Sequence, residues 1–186
     1  MNIPWGSEAA IKFANVVGLI TSDGPNGPNI MAAEWTHHVS YEPALIMINT
    51  RETDATTQNI LKTKEFGINL AAADQNWVAS IAGGSHGQKV DKISVLKELG
   101  VEFYKGKKTG VLMVKGAALN IECKVVESEK MGDHMMFMGE AQDVTVGSKE
   151  PLIYHGLKYY KVGEKIEKPS QDFLDKIAKL VEKHKK

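Results

Sequence analysis

Apolar positions along this chain fall into short runs separated by dense turn punctuation. Asn15–Thr21 (NVVGLIT) is a β-branched run that ends in Ser22-Asp23-Gly24-Pro25-Asn26-Gly27-Pro28. That turn segment stops the first strand and predicts a second one over Asn29–Thr36. Pro43 opens Ala44–Thr50 (ALIMINT), a continuous apolar run that predicts a strand covered on both faces. Thr56–Lys62 predicts a short helix with Thr56 as its N-cap. Glu65–Ala71 is strand-like again. Asp74–Ala82 predicts a helix capped by Asp74, with Trp77, Val78 and Ile81 apolar and Gly83-Gly84 ending it. A polar loop follows from Ser85 to Asp91.

The second half holds the clearest period of two. Leu119, Ile121, Cys123 and Val125 alternate with Asn120, Glu122 and Lys124. Ser128–Asp133 reads as a turn, and His134–Val146 returns as the partner strand of an antiparallel hairpin. Tyr159–Val162 predicts a last strand. Ser170 caps a final helix whose apolar positions Phe173, Ile177, Leu180, Val181 and His184 sit at offsets 0, 4, 7, 8 and 11. The other face of that helix is rich in lysine. Strands do not alternate strictly with long helices, so a doubly wound parallel sheet is disfavoured. The predicted class is mainly β: an antiparallel barrel with short peripheral helices and a C-terminal helix, in one domain over residues 1–186.

Composition narrows the function classes. The chain has 186 residues with 23 basic and 23 acidic side chains, a balance that argues against nonspecific nucleic-acid or membrane-surface binding. Cys123 is the only cysteine, which excludes an intrachain disulfide and points to a reducing, cytoplasmic setting. No signal-peptide pattern opens the sequence, and no apolar run reaches the ~18 residues of a membrane span.

Familiar catalytic motifs are missing: there is no G-x-S-x-G elbow, P-loop, H-E-x-x-H or G-x-G-x-x-G. Cys123 lies in the inward register of its strand and reads as a buried structural thiol. Among the six histidines, adjacent His37 and His38 point to opposite faces of an extended strand, and no pair has strong metal-ligand spacing. Arg51 stands out as the one arginine beside 22 lysines. It sits between a strand end and a helix start, among Thr50, Thr53, Thr56 and Thr57. A planar guanidinium, hydroxyl donors and a helix N-terminus together suit an anionic group, whereas an ordinary capped turn with an exposed arginine is the plainer reading. Ser85–Lys92 is a second polar loop with two lysines and a glycine, suited to folding over a ligand or simply to solvation. Met31, Trp35 and Trp77 are candidates for walls of an aromatic site, though such residues more often pack in a core.

These segments together resemble the flavin reductase-like proteins, which include flavoredoxin and the small FMN-binding split-barrel proteins. The matching stretches are Asn29–Trp35, Val39–Ile46, Thr56-x-x-x-Ile60, Glu65–Leu70, Asp91-Lys92, Gly132-Asp133-His134 with Phe137-x-Gly139-Glu140, and Pro151–Gly156 with Tyr159-Tyr160. They occur in family order over roughly residues 10–163, leaving the helix at 170–186 outside.

The resemblance implies a split β-barrel of antiparallel, Greek-key order, a homodimer and one noncovalent FMN per subunit near the dimer interface. It sets Asn29, Met31, Ala32, Ala33, Glu34 and Trp35 along the flavin ring. Ser40, Thr50, Arg51 and Thr56 fall to the ribityl chain and phosphate. Asn69 and the loop carrying Ser85, Lys89 and Lys92 complete the pocket. His134 falls near the flavin or nicotinamide side. Two departures stand out: Ile48–Thr56 is about two residues longer than the family pattern, and Ile93 replaces the usual aromatic after Asp-Lys. The implied activity is an NAD(P)H-dependent flavin or ferric reductase, or a flavoredoxin-type electron carrier. NADH or NADPH would be the donor, and a small molecule or a protein the acceptor. No protein acid or base is required, because the flavin carries the chemistry. The alternatives are an FMN-binding module without turnover, and a heme- or metal-binding barrel using His37, His38 or His134.

Overall fold

The computed structural model describes residues 1–185. A short 3-10 turn at Ala10–Lys12 precedes β1 (Ala14–Val16), β2 (Gly18–Ser22), β3 (Asn29–Ala33), β4 (Thr36–Tyr41) and β5 (Ala44–Arg51). Then come α1 (Ala55–Thr63), β6 (Glu65–Leu70), α2 (Asn76–Gly84), α3 (Lys92–Glu98), β7 (Phe103–Lys105) and β8 (Leu112–Val114). The long hairpin β9 (Leu119–Met131) and β10 (His134–Val146) is followed by β11 (Ile153–His155), β12 (Lys158–Tyr160) and α4 (Gln171–Lys183).

The main sheet has seven strands in the order β3-β2-β6-β9-β10-β5-β4, and every pairing in it is antiparallel. Its two edges, β3 and β4, are joined by Glu34-Trp35 alone. In a flat sheet, six strand spacings of ~4.8 Å would set those edges ~29 Å apart. Three Cα steps, from Ala33 to Thr36, reach only ~11 Å. The sheet therefore has to roll until its edges nearly meet. At the seam Thr36 lies so close to Gly18 that any Cβ there would collide with the threonine side chain. The edges share no ladder, so the roll stays open.

Rolling makes two cores. Inside lie Ile20, Ile48, Phe66, Ile68, Cys123 and Phe137, with Ile60 of α1 closing one end. Outside, α2 and α3 cover β2 and β3 through Leu19, Ile30, Val78, Ala82 and Leu96. Gly139 faces the inner core because a Cβ there would strike Phe66.

The expected mainly antiparallel architecture with peripheral helices holds, and its details differ in informative ways. Asn15–Thr21 splits at Val17, whose N–H donates to Leu152 and whose carbonyl accepts from Ala71, so the chain changes sheets there. Asn29–Thr36 likewise breaks at Glu34-Trp35. Ala44–Thr50 is covered on one face only: Ile46, Ile48 and Thr50 are buried while Leu45, Met47 and Asn49 are half-exposed. Asp54, not Thr56, occupies the N-cap of α1, and Gln75, not Asp74, that of α2. Asp74 instead pairs with Lys149 at 2.6 Å. The hairpin turn shrinks to Gly132-Asp133, with Gly132 at φ +63°. The last strand ends at Tyr160 rather than Val162.

Among the described residues every buried side-chain nitrogen and oxygen has a hydrogen-bond partner. Asn69 is wholly buried; its amide nitrogen donates to the Leu19 carbonyl at 2.8 Å, and its oxygen accepts from Val114 N and Asn120 Nδ2, each at 2.7 Å. Glu122 accepts from three successive backbone N–H groups, Lys107, Lys108 and Thr109, and from the Thr109 hydroxyl. Burial opposes the Glu122 charge, yet these donors hold its carboxyl below the usual range. A depressed carboxyl contributes stability that is present above the unfolded value of ~4.3 and lost as pH falls through the folded one. Glu122→Gln is expected to lower stability by ~1–3 kcal/mol at pH 7. The gap to wild type should narrow as the pH falls through and below 4, read by thermal melting across pH 3–7. An unchanged gap would refute the assignment.

Candidate functional site

Three segments meet at the end of the roll that α1 closes. The β3 start contributes Asn29, whose Nδ2 donates to the buried Thr56 hydroxyl at 2.9 Å. The β5–α1 junction runs from Thr50 to Thr57. The third is the loop between α2 and α3. That loop is pinned: Gln88 Nε2 donates to the Thr53 carbonyl at 2.6 Å, and Gly87 packs so tightly on Asn29 and Ala55 that a Cβ would clash. Sequence reading missed Gly87 and Gln88; a glycine inside a polar loop was the only signal for a close approach.

The junction is internally braced. The hydroxyls of Thr50 and Thr57 lie 2.6 Å apart, and Thr57 Oγ1 donates to the Arg51 carbonyl at 2.6 Å. The Asp54 carboxylate accepts from the Arg51 N–H at 3.1 Å, and no side chain caps the first turn of α1. That turn presents the positive end of the helix dipole toward the junction. The Arg51 side chain is exposed beside it.

From Arg51 the surface continues to His134, its cross-strand partner in the β5–β10 ladder. The His134 ring lies 4.7 Å, centroid to centroid, from that of Trp35, which is 44% exposed. The neighbouring Asp133 carboxylate meets His134 Nδ1 at 2.8 Å, and that hydrogen bond holds the Asp133 carboxyl below its ordinary value. One continuous ledge thus joins the loop, Thr53, Arg51, His134 and Trp35, with the buried first turn of α1 (Ala55–Thr57) directly behind it.

Other predicted residues go elsewhere. Met31 and Ala33 pack on the inner core, and Ala32 lies in the outer layer beside Gly83. Glu34 accepts from Asn15 Nδ2 at 3.1 Å. Ser40 pairs with Leu45 on the β4–β5 ladder, six residues and so ~20 Å along the strand from Arg51. Asn69 is fully committed to the core, as described above. Ser85 and Lys89 are exposed on the loop. Trp77 lies outside the ledge, at a hollow of about 360 Å³ beside the start of α2 that Glu102 and Lys115 also line. Apart from Trp77, neither that hollow nor a smaller one near Val126 is lined by a residue expected to contact a ligand.

Lys92, expected in the pocket, is 3% exposed and points inward. Its Nζ donates to the carbonyls of Ala82 at 2.8 Å and Ser85 at 3.1 Å, tying the end of α2 to the loop. Burial pushes its pKa down to about 8, against the field of Asp54. Cys123 is equally withdrawn, its thiol pushed up to about 12 by burial and by Glu122. Among the described residues no three His, Cys, Asp or Glu side chains converge to hold a metal ion. No helix is long and apolar enough to cross a membrane.

A family profile, flavin reductase like domain, matches residues 10–163. The chain belongs to that family. It is 28% identical over 165 residues to a protein of Pyrococcus abyssi, covering 86% of this chain and 90% of that one. It is 24% identical over 148 residues to an NADH-dependent flavin reductase of a Rhodococcus species, covering 77% of each. Its fold resembles flavoredoxin of Desulfovibrio vulgaris (Miyazaki F), with a TM-score of 0.75 and 24% identity over 92% of this chain and 98% of the other.

The Lys92 geometry gives a test. Its folded pKa lies below the ordinary ~10.4, so between about 8 and that value the unfolded chain binds more protons and stability rises with pH. Wild type is expected to gain stability relative to Lys92→Met between pH 8 and 10 in denaturant melts. Parallel curves would show that the ammonium is not buried.

Proposed function

We propose that this chain is an FMN-binding flavoprotein that takes electrons from NADH or NADPH and passes them to free flavin, ferric iron or a protein acceptor. The open roll is read as a split barrel with Greek-key order. The observation that carries the reading is the ledge: an uncapped helix start, an exposed arginine and a glycine-tight loop converge where a phosphate needs them. Three features fit the cofactor. The first turn of α1 offers N–H groups without a side-chain competitor, and Arg51 adds a planar fork. Ser85 and Lys89 stand on the facing loop. Trp35 and His134 present an aromatic surface further along.

A bound flavin would supply the hydride and electron chemistry. Arg51, the α1 start, Ser85 and Lys89 would hold its phosphate. Trp35 and His134 would lie on the ring or nicotinamide side, and β3 would provide backbone along the slot. Lys92 would keep the loop in place from beneath. The relatives' names, NADH-dependent flavin reductase among them, favour turnover over passive FMN storage. We also propose a homodimer: the ledge is shallow in one chain, and a second copy would give the slot its missing wall. The balanced charge and the lone, buried thiol favour a cytoplasmic setting.

The purified protein reconstituted with FMN should absorb near ~370 and ~450 nm, as oxidised isoalloxazine does, and bleach with NADH or NADPH under nitrogen. Retained FMN without bleaching would leave only the binding module, and a colourless protein would end the proposal. Arg51→Ala should weaken FMN binding by ~1–3 kcal/mol in titrations of the two apoproteins. Equal affinities would remove Arg51 from the site.

A further inference from the structure

The C-terminal helix is unpartnered. None of its residues is buried: Phe173 is 53% exposed and Val181 61%, and Ile177 and Leu180 are similarly open. Lys161–Ser170 precedes it without regular structure, every residue exposed. An apolar stripe this continuous on a 13-residue helix needs a cover, since burying each large apolar side chain is worth ~1.5–3 kcal/mol. The helix also lies beyond the family domain at 10–163, so the domain's own core does not require it.

A second open apolar surface lies on the outer face of β5 and β10. Met47 faces Met138 across the ladder, Leu45 and Met136 flank them, and all four are half-exposed. Its β9 side is acidic where Glu127 and Glu129 stand opposite Met138 and Met136, whereas Glu140, opposite Leu45, is met by Lys124, and His37 stands opposite Met47. The apolar stripe of α4 is flanked by Lys176 and Lys183. The same complementarity holds for the whole chain. Residues 1–160 carry 15 basic and 18 acidic side chains, a net charge of −3, while residues 161–186 carry eight and five, a net of +3. Antiparallel pairing of two α4 helices is disfavoured, because the lysines on one flank of the stripe would face lysines.

We propose that α4 is an intersubunit strap: the helix of one copy lays its Phe173–Val181 stripe across the Met47/Met138 face of a second copy, with its lysines on the Glu127/Glu129 rim. The occupant is a second copy because the helix leaves its own barrel uncovered, with no side chain buried against it. Flexible methionines suit such a face, since they adapt to a docked helix. The strap would add intersubunit area independently of flavin binding, so it stands or falls apart from the redox proposal.

Crosslinking tests this directly, because native Cys123 is fully buried and its thiol strongly disfavours the reactive thiolate form. Two full-length chains, Ile177→Cys and Met138→Cys, are mixed, allowed to exchange subunits and oxidised mildly with diamide. The expected product is a covalent heterodimer, present in the mixture and lost when Phe173→Asp and Leu180→Asp are added to the Ile177→Cys chain. A homodimer of Ile177→Cys alone would show helix-to-helix pairing and overturn the proposal. A homodimer of Met138→Cys alone would show the two sheet faces packed together and overturn it as well. In a third chain carrying both Ile177→Cys and Met138→Cys, an intramolecular link on a monomer would place the helix on its own barrel. No link in any sample would leave α4 undocked. Either of these last results also rejects the strap.

Discussion

Two residues set the shape of this molecule. Glu34-Trp35 join the opposite edges of a seven-stranded ladder, and a linker of ~11 Å forces the sheet to curl. Everything else adapts to that covalent constraint. Gly18 has no side chain because Thr36 arrives at the seam, and Thr36 anchors there by donating to the Ala33 carbonyl at 3.3 Å. The same linker carries Trp35 out to the surface next to His134, so the residues that close the roll also begin the candidate site.

A curled sheet places strand backbones on both sides of a thin wall, and the central strands are buried on both faces. Polar side chains on such strands must find partners inside. Asn69 does so by linking β2, β8 and β9, and Glu122 by gathering three N–H groups of the β7–β8 turn. Neither residue has bonding capacity turned to a ligand. The buried Lys92 belongs with them: it stabilises the loop from within, and its charge is met by carbonyls and by the more distant Asp54 rather than by an ion pair.

Alternation made the β9–β10 hairpin and the inward Cys123 legible, because one face of each strand meets the core over many residues. The Ala44–Thr50 run misled for the same reason in reverse. Its outer Leu45 and Met47 are apolar without being covered by their own chain, and a single sequence does not distinguish a buried face from one awaiting a partner. Residue type alone does not fix the helix starts: α1 begins after Asp54, two positions before the cap-former Thr56, and α2 after Gln75, because Asp74 pairs with Lys149 instead. The strand-to-helix junction carrying Arg51 was legible from residue type and position, whereas the burial of Thr56 under Asn29 was not. The inward turn of Lys92 and the ~20 Å offset of Ser40 were not, because both follow from register and loop path rather than from local pattern.

Much of the charge along the ledge is matched locally. Asp54 accepts from the Arg51 N–H, Asp133 leans on His134 within the field of Arg51, and the Lys92 charge is sequestered below the loop. The phosphate binding proposed above would therefore rest more on directed donors, the α1 N–H groups and the fork of Arg51, than on net charge, to which Lys89 is the main free contributor. Directed donors discriminate by geometry, whereas net charge attracts any polyanion. With 23 basic and 23 acidic residues and a single arginine at the helix start that closes the roll, the chain suits the proposed phosphate site only through the first kind of recognition.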